Sequence, residues 1–532
     1  MPIDARQQQA IDAIEAGESI LLCGRAGTGK SFILHHWAGK TEKNHVLLAP
    51  TGVAAVHLGG QTIHSFLSIA PGALPHEVHA KASRLHKNKK AIIKAVETLV
   101  IDEISMVRAD LLDCVDITLK SVMQNKLPFG GKQMVLVGDM YQLPPVMRPE
   151  EKPLFSGQSA LGQGYAGPYF FHAHAFAGVF FPRLVNLVHS YRQQEDAPFL
   201  TLLNGIRNRR ITNEQLACIN ARIDPQANQR EPTAVYLTGT NHRATAINEQ
   251  RLNALEDEER VFTASQWGEV DERNMPVEET LRLKTGARVM ITRNDQPHLG
   301  RWVNGTTGTI AGFYTDTSKD GTTSSGVEVQ KDEGGATVKI APCSWEVYRY
   351  SLRNNRIERD LVGAFTQIPL RLAWALTIHK AQGKTFGQII VDLANAAFSH
   401  GQVYVALSRC THLRGIHLSC ALEKRHILVD PAISSFMAEY QIRHARKEQD
   451  LETMQAIIRS AIDADKPLLI DYLRSSDQSV QLQVQPLELK KITHKGRSHP
   501  CLVAHEEAGR RPHHFNLARM LSAAQVEVAM PL

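Results

Sequence analysis

Residues 20–34 read ILLCGRAGTGKSFIL, and the reading of this stretch decides the fold. The apolar run Ile20, Leu21, Leu22 predicts a buried strand, and GRAGTGKS from Gly24 to Ser31 fits the spacing Gly, four residues, Gly-Lys-Ser/Thr. From Lys30 onward the pattern predicts a helix. Gly24, Gly27 and Gly29, with Thr28 between them, let the backbone curl so that its N–H groups face phosphates. Lys30 can reach the β and γ phosphates, and the Ser31 hydroxyl can ligate Mg²⁺. The helix N-terminus adds a favourable end for negative charge. This combination predicts an α/β fold that binds a nucleoside triphosphate.

A chain of 532 residues, 43% of them hydrophobic, has room for three or four domains with real cores. A net charge of +6 permits a polyanionic partner without requiring one. The seven cysteines are scattered without a Cys-x-x-Cys pair, which argues against a metal cluster or disulfide framework and for reduced thiols in a cytoplasm. The opening MPIDARQQQAIDAI lacks a signal-peptide pattern, and no apolar run approaches a membrane span. A soluble, intracellular protein without a membrane partner is expected.

Taken in order, residues 6–16 predict a polar-faced helix carrying Gln7, whose paired donor and acceptor suit adenine, although a lone glutamine on a helix is ordinarily a surface residue. HVLLA (45–49) predicts a second strand leading into PTGVAAVHL. GGQTIHSF (59–66) predicts a strand-end loop whose hydroxyl and aromatic groups can meet phosphates or bases. The basic stretch 71–90 reads either as a solvated loop or as a small insertion touching nucleic acid. ETLVID (97–102) predicts a third strand with Asp102 and Glu103 at its carboxyl end, where ligands sit in an open α/β sheet. There Asp102 can hold Mg²⁺ through water and Glu103 can orient or deprotonate the attacking water. Residues 133–137 predict a fourth strand ending in GDMYQLPPV, which places Gln142 to sense the γ-phosphate.

A second half is expected from residue 184, with Tyr191, Arg192 and Gln193 before a helix reaching Arg207, and a strand over 232–241. Between 280 and 366, short β segments with closely spaced Gly turns predict a small barrel, with 315–335 as a hairpin or loop. Helix and strand alternation resumes at Pro369, with Gly383 in a strand-to-helix loop and Arg409 after an apolar helix face. Residues 437–462 predict one charged amphipathic helix, and the tail from 466 returns to β alternation. Within 490–519 lie Lys490, Lys491, Lys495, Arg497, Arg510, Arg511 and Arg519 against Glu506 and Glu507, a local basic patch.

Read together, the phosphate loop, PTGVAA, GQTIHSF, DEISM, PFGGKQMVLVGDMYQLPPV, SYRQ, HKAQGKTF and VYVALSRC resemble the superfamily 1B DNA helicases. Within these they are most similar to the PIF type (petite integration frequency), related to RecD. The resemblance implies two RecA-like motor domains, at 1–183 (with the insertion at 67–90) and at 184–279 plus 367–436. It further implies an inserted small β-barrel at 280–366 and ATP with Mg²⁺ between the motors. It implies that Gln7 contacts adenine and that Lys30 and Ser31 hold phosphate and Mg²⁺. Asp102 and Glu103 would serve Mg²⁺ and water, while Gln142, Arg192 and Arg409 would meet the γ-phosphate. Thr51, Gly52, Thr62, His64, Ser65, Phe66, His379 and Lys380 would line the single-strand track, with Trp302 and Asn304 of the WVNG turn in a barrel role. A linker helix (437–464) would precede a small β-rich domain at 465–532 that resembles a WYL domain, keeping Arg519 but reading Pro500-Cys501-Leu502 at the namesake position.

The expected activity is ATP-dependent 5′→3′ unwinding of duplex or structured DNA by a chain that translocates on single-stranded DNA, acting as a monomer. The alternatives are a strand translocase or RecD-like subunit, or a nucleotide-switched DNA-binding regulator. Forked DNA, replication or repair proteins and a bacterial cytoplasm with its nucleoid are the expected surroundings. The tail is expected either to bind nucleic acid or to be a structural appendage.

Overall fold

The computed structural model describes residues 3–157, 164–176, 180–192, 196–271, 275–296, 299–317, 323–393, 399–474, 479–494, 497–506 and 511–526. Two compact units emerge, Met1–Val429 and Asp430–Leu532. Gln193, Lys495, Glu507 and Arg510, named above, lie outside the described residues.

In the first unit the predicted apolar runs become strands β1 (Ile20–Gly24), β2 (His45–Ala49), β3 (Gln61–Thr62), β4 (Thr98–Ile101), β5 (Gln133–Gly138) and β6 (Arg183–Leu187). They form one parallel sheet in the order β3-β2-β4-β5-β1-β6. β1 is buried at every residue, which is why it reads as an unbroken apolar run rather than an alternation. Helices α1 (Ala5–Glu15) and α2 (Lys30–Ala38) cover it, with Ile14, Leu34 and Trp37 packed against Ile20, Val135 and Val185. The Trp37 indole N–H donates to Glu15 Oε1 at 2.6 Å, so the buried ring keeps its polar atom satisfied.

β6 corrects the expected boundary at 183/184. It pairs with β1, Leu22 opposite Val185, and so completes the first sheet instead of opening the second motor domain. The physical reason is the bare edge of β1, which RLVNL covers. Two further expectations change nearby. The stretch 71–90 is no loop, because Pro75–Ala82 and Lys87–Ala95 are helices, the latter capped by His86. GGQTIHSF is likewise the short strand β3 followed by helix α4 (Ile63–Leu67) rather than a plain loop, with helix α3 (Gly52–Leu58) preceding it.

A second parallel sheet of four strands follows, in the order Ala375–Thr377, Val235–Thr238, Ile389–Val391, Ile416–Leu418. Between its first and later strands lies the inserted β region, which is larger than 280–366. It begins with Arg260–Thr263 and Ser265–Gly268 and ends with Leu370–Leu372. A five-stranded antiparallel sheet with a core of Val289, Ile310, Val327, Val329 and Leu370 accounts for the Gly-turn pattern. Within it Thr307–Thr317 and Thr323–Lys331 pair through most of the stretch expected as a hairpin or loop. A separate long hairpin, Cys343–Arg353 with Arg356–Gln367, reaches back to the first sheet. Tyr350 Oη accepts from Leu47 N at 2.8 Å, Gln61 Nε2 donates to the Tyr348 carbonyl at 2.7 Å, and Arg359 donates to the Gly59 carbonyl at 2.8 Å.

In the second unit the predicted single linker helix is two helices, Pro431–Glu448 and Leu451–Asp463. Gln449 takes an extended backbone, and Asp450 starts the new helix by accepting from Thr453 N at 2.7 Å. Gln449 also acts as a strand surrogate, exchanging hydrogen bonds of 3.0 and 2.8 Å with Ala523. Met454, Ile458 and Ala461 of the second helix join Leu468, Ile470, Leu502 and Phe515 in one core. Arg446 of the first donates to the carbonyls of Leu517 and Met520, both at 2.8 Å, so both helices pack on the tail domain instead of forming a free linker. The tail itself is a five-stranded antiparallel sheet, as the alternation predicted. No helix among the described residues is long and apolar enough to cross a membrane.

Candidate functional site

The order β4-β5-β1-β6 brings four carboxyl ends side by side, and each carries a motif. After β1 comes the glycine loop. Gly27 and Gly29 sit at φ +79° and +84°, and a Cβ on them would lie 2.7 Å from Arg192 Cβ and 2.7 Å from Gln7 Nε2 respectively. These are positions only glycine fills. Lys30 Nζ donates to the carbonyls of Gly24 (2.8 Å) and Arg25 (3.1 Å). No side chain caps the start of α2, which leaves its first N–H groups to an anion. Gln7 is not a surface residue. Only 2% exposed, it donates to the Thr28 carbonyl at 3.3 Å, while its Oε1 accepts from Asp4 N.

After β4, Glu103 takes φ +52°, an uncommon conformation for a residue with a side chain, and its N–H donates to Asp102 Oδ1 at 2.8 Å. Burial, then the Asp102 carboxylate, push Glu103 up to about 7, against the pull of Lys30 and Arg409. Burial raises Asp102 too, opposed by its hydrogen bond from Glu103 N and by Lys30. After β5, Gln142 is buried and donates to Asp139 Oδ2 at 3.1 Å. After β6, Tyr191 N donates to the Gly27 carbonyl at 2.9 Å, which seats Arg192 beside the loop.

The second sheet supplies the opposite wall. Arg409 is 1% exposed and held by Val405 O and Ser408 Oγ, both at 2.9 Å. Arg192 reaches across to the carbonyls of Ser408 (3.2 Å) and Gly383 (3.5 Å). Burial and the neighbouring Arg409 bring Arg192 down to about 9, and burial lowers Arg409 as well. Two neighbouring guanidiniums, Arg192 beside the glycine loop and Arg409 buried behind it near Glu103, make a site for concentrated negative charge. Gly383 follows the short helix Ile378–Ala381 rather than preceding a helix, which corrects its predicted setting.

Four residues of this cleft were not singled out from the sequence. Gln382 Nε2 donates to Glu103 Oε2 (3.3 Å) and Gln142 Oε1 (3.0 Å), so one amide from the second sheet touches two motifs of the first. Asp139, 1% exposed, accepts from Tyr404 Oη at 3.3 Å and pairs with Arg207 at 3.5 Å, whose guanidinium stacks 3.9 Å from the Tyr141 ring. Gln382, Asp139 and Tyr404 lie inside motifs already quoted, but their contacts span more than 200 residues and leave no local pattern. Arg207 carries no motif signal at all.

The predicted strand-track residues fall at the carboxyl ends of β2, β3 and Ala375–Thr377. Thr51, Thr62 and Thr377 each cap a short helix through the side-chain oxygen. Gly52 is buried in α3, while Ser65, His379 and Lys380 are exposed and His64 is half-buried. Phe66 departs from expectation. It is fully buried, edge-on to Tyr350 at 5.7 Å between ring centres, with Lys89 Nζ 4.9 Å over its ring, and so packs the loop rather than offering a face to a base. Trp302 packs on the inserted sheet's core under Arg301, and Asn304 accepts from Lys384 Nζ. In the second unit Arg519 donates to the carbonyls of Leu473 (2.8 Å) and Arg474, which commits its guanidinium to the fold.

The sequence model described as PIF1-like helicase matches residues 3–216. The ATP-dependent DNA helicase Pif1 of Bdellovibrio bacteriovorus is 30% identical, over 82% of this chain and 92% of that protein. The human ATP-dependent DNA helicase PIF1 is 31% identical over 82% of this chain, which spans 63% of that longer protein. Among solved structures, a Bacteroides sp Pif1 in complex with ADP-AlF4 superposes with a TM-score of 0.73 at 32% identity, covering 84% of this chain and 98% of that one. Bacteroides Pif1 bound to ssDNA gives 0.57 at 33% identity, covering 85% and 98%. The two-sheet cleft and the relatives agree, and the chain belongs to the PIF1-like helicase family.

Proposed function

We propose that this chain is an ATP-dependent DNA helicase that moves 5′→3′ along single-stranded DNA and separates duplex or forked DNA. The observation that carries this reading is the cross-cleft hydrogen bonding of Gln382 to Glu103 and Gln142, beside Arg192 and Arg409. It makes the water-side carboxylate and the phosphate-side arginines depend on how the two RecA-like domains meet. The uncapped α2 start and the glycine cradle fit a triphosphate, and Ser31 with Asp102 offers the oxygen donors that suit Mg²⁺. That ion would neutralise charge on the phosphates. The residues of the chain do the rest. Lys30 holds phosphate, Glu103 orients and accepts a proton from water, and Arg192 and Arg409 stabilise charge as it develops. Cleft closure and opening then carry one domain past the other along the strand gripped at Thr51, Thr62, His379 and Lys380. The polarity rests on the family resemblance.

For the second unit we propose an accessory WYL-like domain that adds single-strand affinity through Lys490, Lys491 and Arg511 rather than through Arg519. ATP turnover with and without single-stranded DNA tests the motor reading. Strong stimulation is expected, and equal rates would leave a nucleotide-switched regulator as the better description.

A further inference from the structure

Outside the nucleotide cleft, positive charge gathers where three parts of the first unit meet. His57 belongs to α3. Lys380 lies on the helix Ile378–Ala381, and Lys384 follows it. Arg371 comes from the inserted sheet, on the strand Leu370–Leu372, opposite Met290. Lys384 Nζ donates to Asn304 Oδ1 of the WVNG turn. That turn lies close against the loop, since a Cβ on Gly305 (φ +103°) would sit 3.4 Å from Thr385 N and 3.5 Å from Lys384 Cβ.

Charge in this corner is unbalanced. Arg371 Nε is buried and has no hydrogen-bond partner among the described residues. Partial shielding of the charged ends from water is the larger cause that lowers Lys380, Lys384 and His57, although Lys380 and His57 stay exposed as whole residues. Arg371 adds to it at both lysines, and Lys384 at His57. The carboxylate acting on Arg371 and Lys380 is Glu278, itself exposed. Cations brought together in a partly dry corner repel one another, and a buried N–H left unbonded is unfavourable; one anion relieves both. A phosphodiester matches better than a carboxylate. It offers several oxygens at once to a guanidinium and an ammonium. Neither Arg371 nor Asn304 belongs to the nucleotide cleft, whereas His379 and Lys380 continue directly into the strand track.

We propose that Arg371 and Lys384, with Asn304 orienting the lysine, form a binding site for one phosphodiester of the tracked single strand, shared by the second motor domain and the inserted sheet. The site rests on the helicase reading above and goes beyond it by naming side chains of the insert that grip the strand. It also gives the insert a reason to stay in register with the second motor domain, because one phosphate ties the two together.

The test measures binding of a fluorescein-labelled oligo-dT to the full chain across a range of KCl concentrations. Each phosphate contact removed from a single strand lowers the slope of log affinity against log salt by about 0.7. Arg371→Gln and Lys384→Gln are each expected to lower the slope by about that amount and to weaken binding about tenfold at one salt concentration. Arg371→Lys should keep the slope. The double variant should lose less than the two single losses combined, because both side chains hold one phosphate. If Arg371→Gln does not fold, Lys384→Gln, on a loop, gives the same readout. Variants that melt like the wild type and keep its slope and affinity overturn the site while leaving the helicase reading intact. A wild-type chain that neither binds oligo-dT nor shows strand-stimulated turnover overturns both.

Discussion

Lys30 and Gln382 show how differently single residues reveal themselves. Lys30 has one job at one place, and its spacing from Gly24 announces it. Removing its ammonium in Lys30→Ala should cut ATP turnover by about 10²–10³, the usual effect of losing one preorganised donor to developing charge, while strand binding stays near wild type. Retained turnover would overturn the motor assignment. Gln382 acts only through partners brought near by folding, Glu103 and Gln142. Gln382→Ala should lower strand-stimulated turnover about tenfold with little change in the nucleotide KM, because it orients a carboxylate and does not hold the triphosphate. A rise in KM at constant turnover would instead make it a binding residue. The same contrast explains what was legible. Glycine, lysine and the Asp102-Glu103 pair follow local rules of backbone and charge, whereas the burial of Phe66 under Tyr350 depends on a hairpin nearly 300 residues later.

At the scale of elements, strand existence was plain and element ownership was not. β1, β2, β4 and β5 read as buried runs because both faces of a parallel sheet are covered, yet nothing in RLVNL says which sheet β6 joins. The helix break at Gln449 was missed because residues 437–462 keep a helical pattern across it, and the signal is a single Asp450 cap. Asp450→Ala should cost the second unit about 1 kcal/mol, seen as a lower urea midpoint for residues 430–532. An unchanged midpoint would mean that Gln449 and its strand contacts set the break by themselves. Tyr350→Phe should likewise weaken the seating of the long hairpin by about 1 kcal/mol, since it removes the bond to Leu47 N but leaves the ring against Phe66. Urea denaturation of the full chain checks this, and no loss of stability would show that the ring contact alone seats the hairpin.

For the whole molecule, the order of motifs along the chain fixed two RecA-like domains and an insert in advance, while the insert's true extent, from Arg260 to Leu372, needed the pairing of distant strands. The separation into Met1–Val429 and Asp430–Leu532 makes a clean truncation available. A chain ending at Val429 should keep strand-stimulated ATP turnover but bind single strands more weakly, and unchanged affinity would reject the tail's proposed role. The central claim is a motor that tracks one strand and parts the other. It is tested most directly on two duplexes, one with only a 5′ single-stranded tail and one with only a 3′ tail, followed for strand separation with ATP and Mg²⁺. Separation of the 5′-tailed duplex alone is the predicted result. Separation of the 3′-tailed duplex, or of neither, would contradict it.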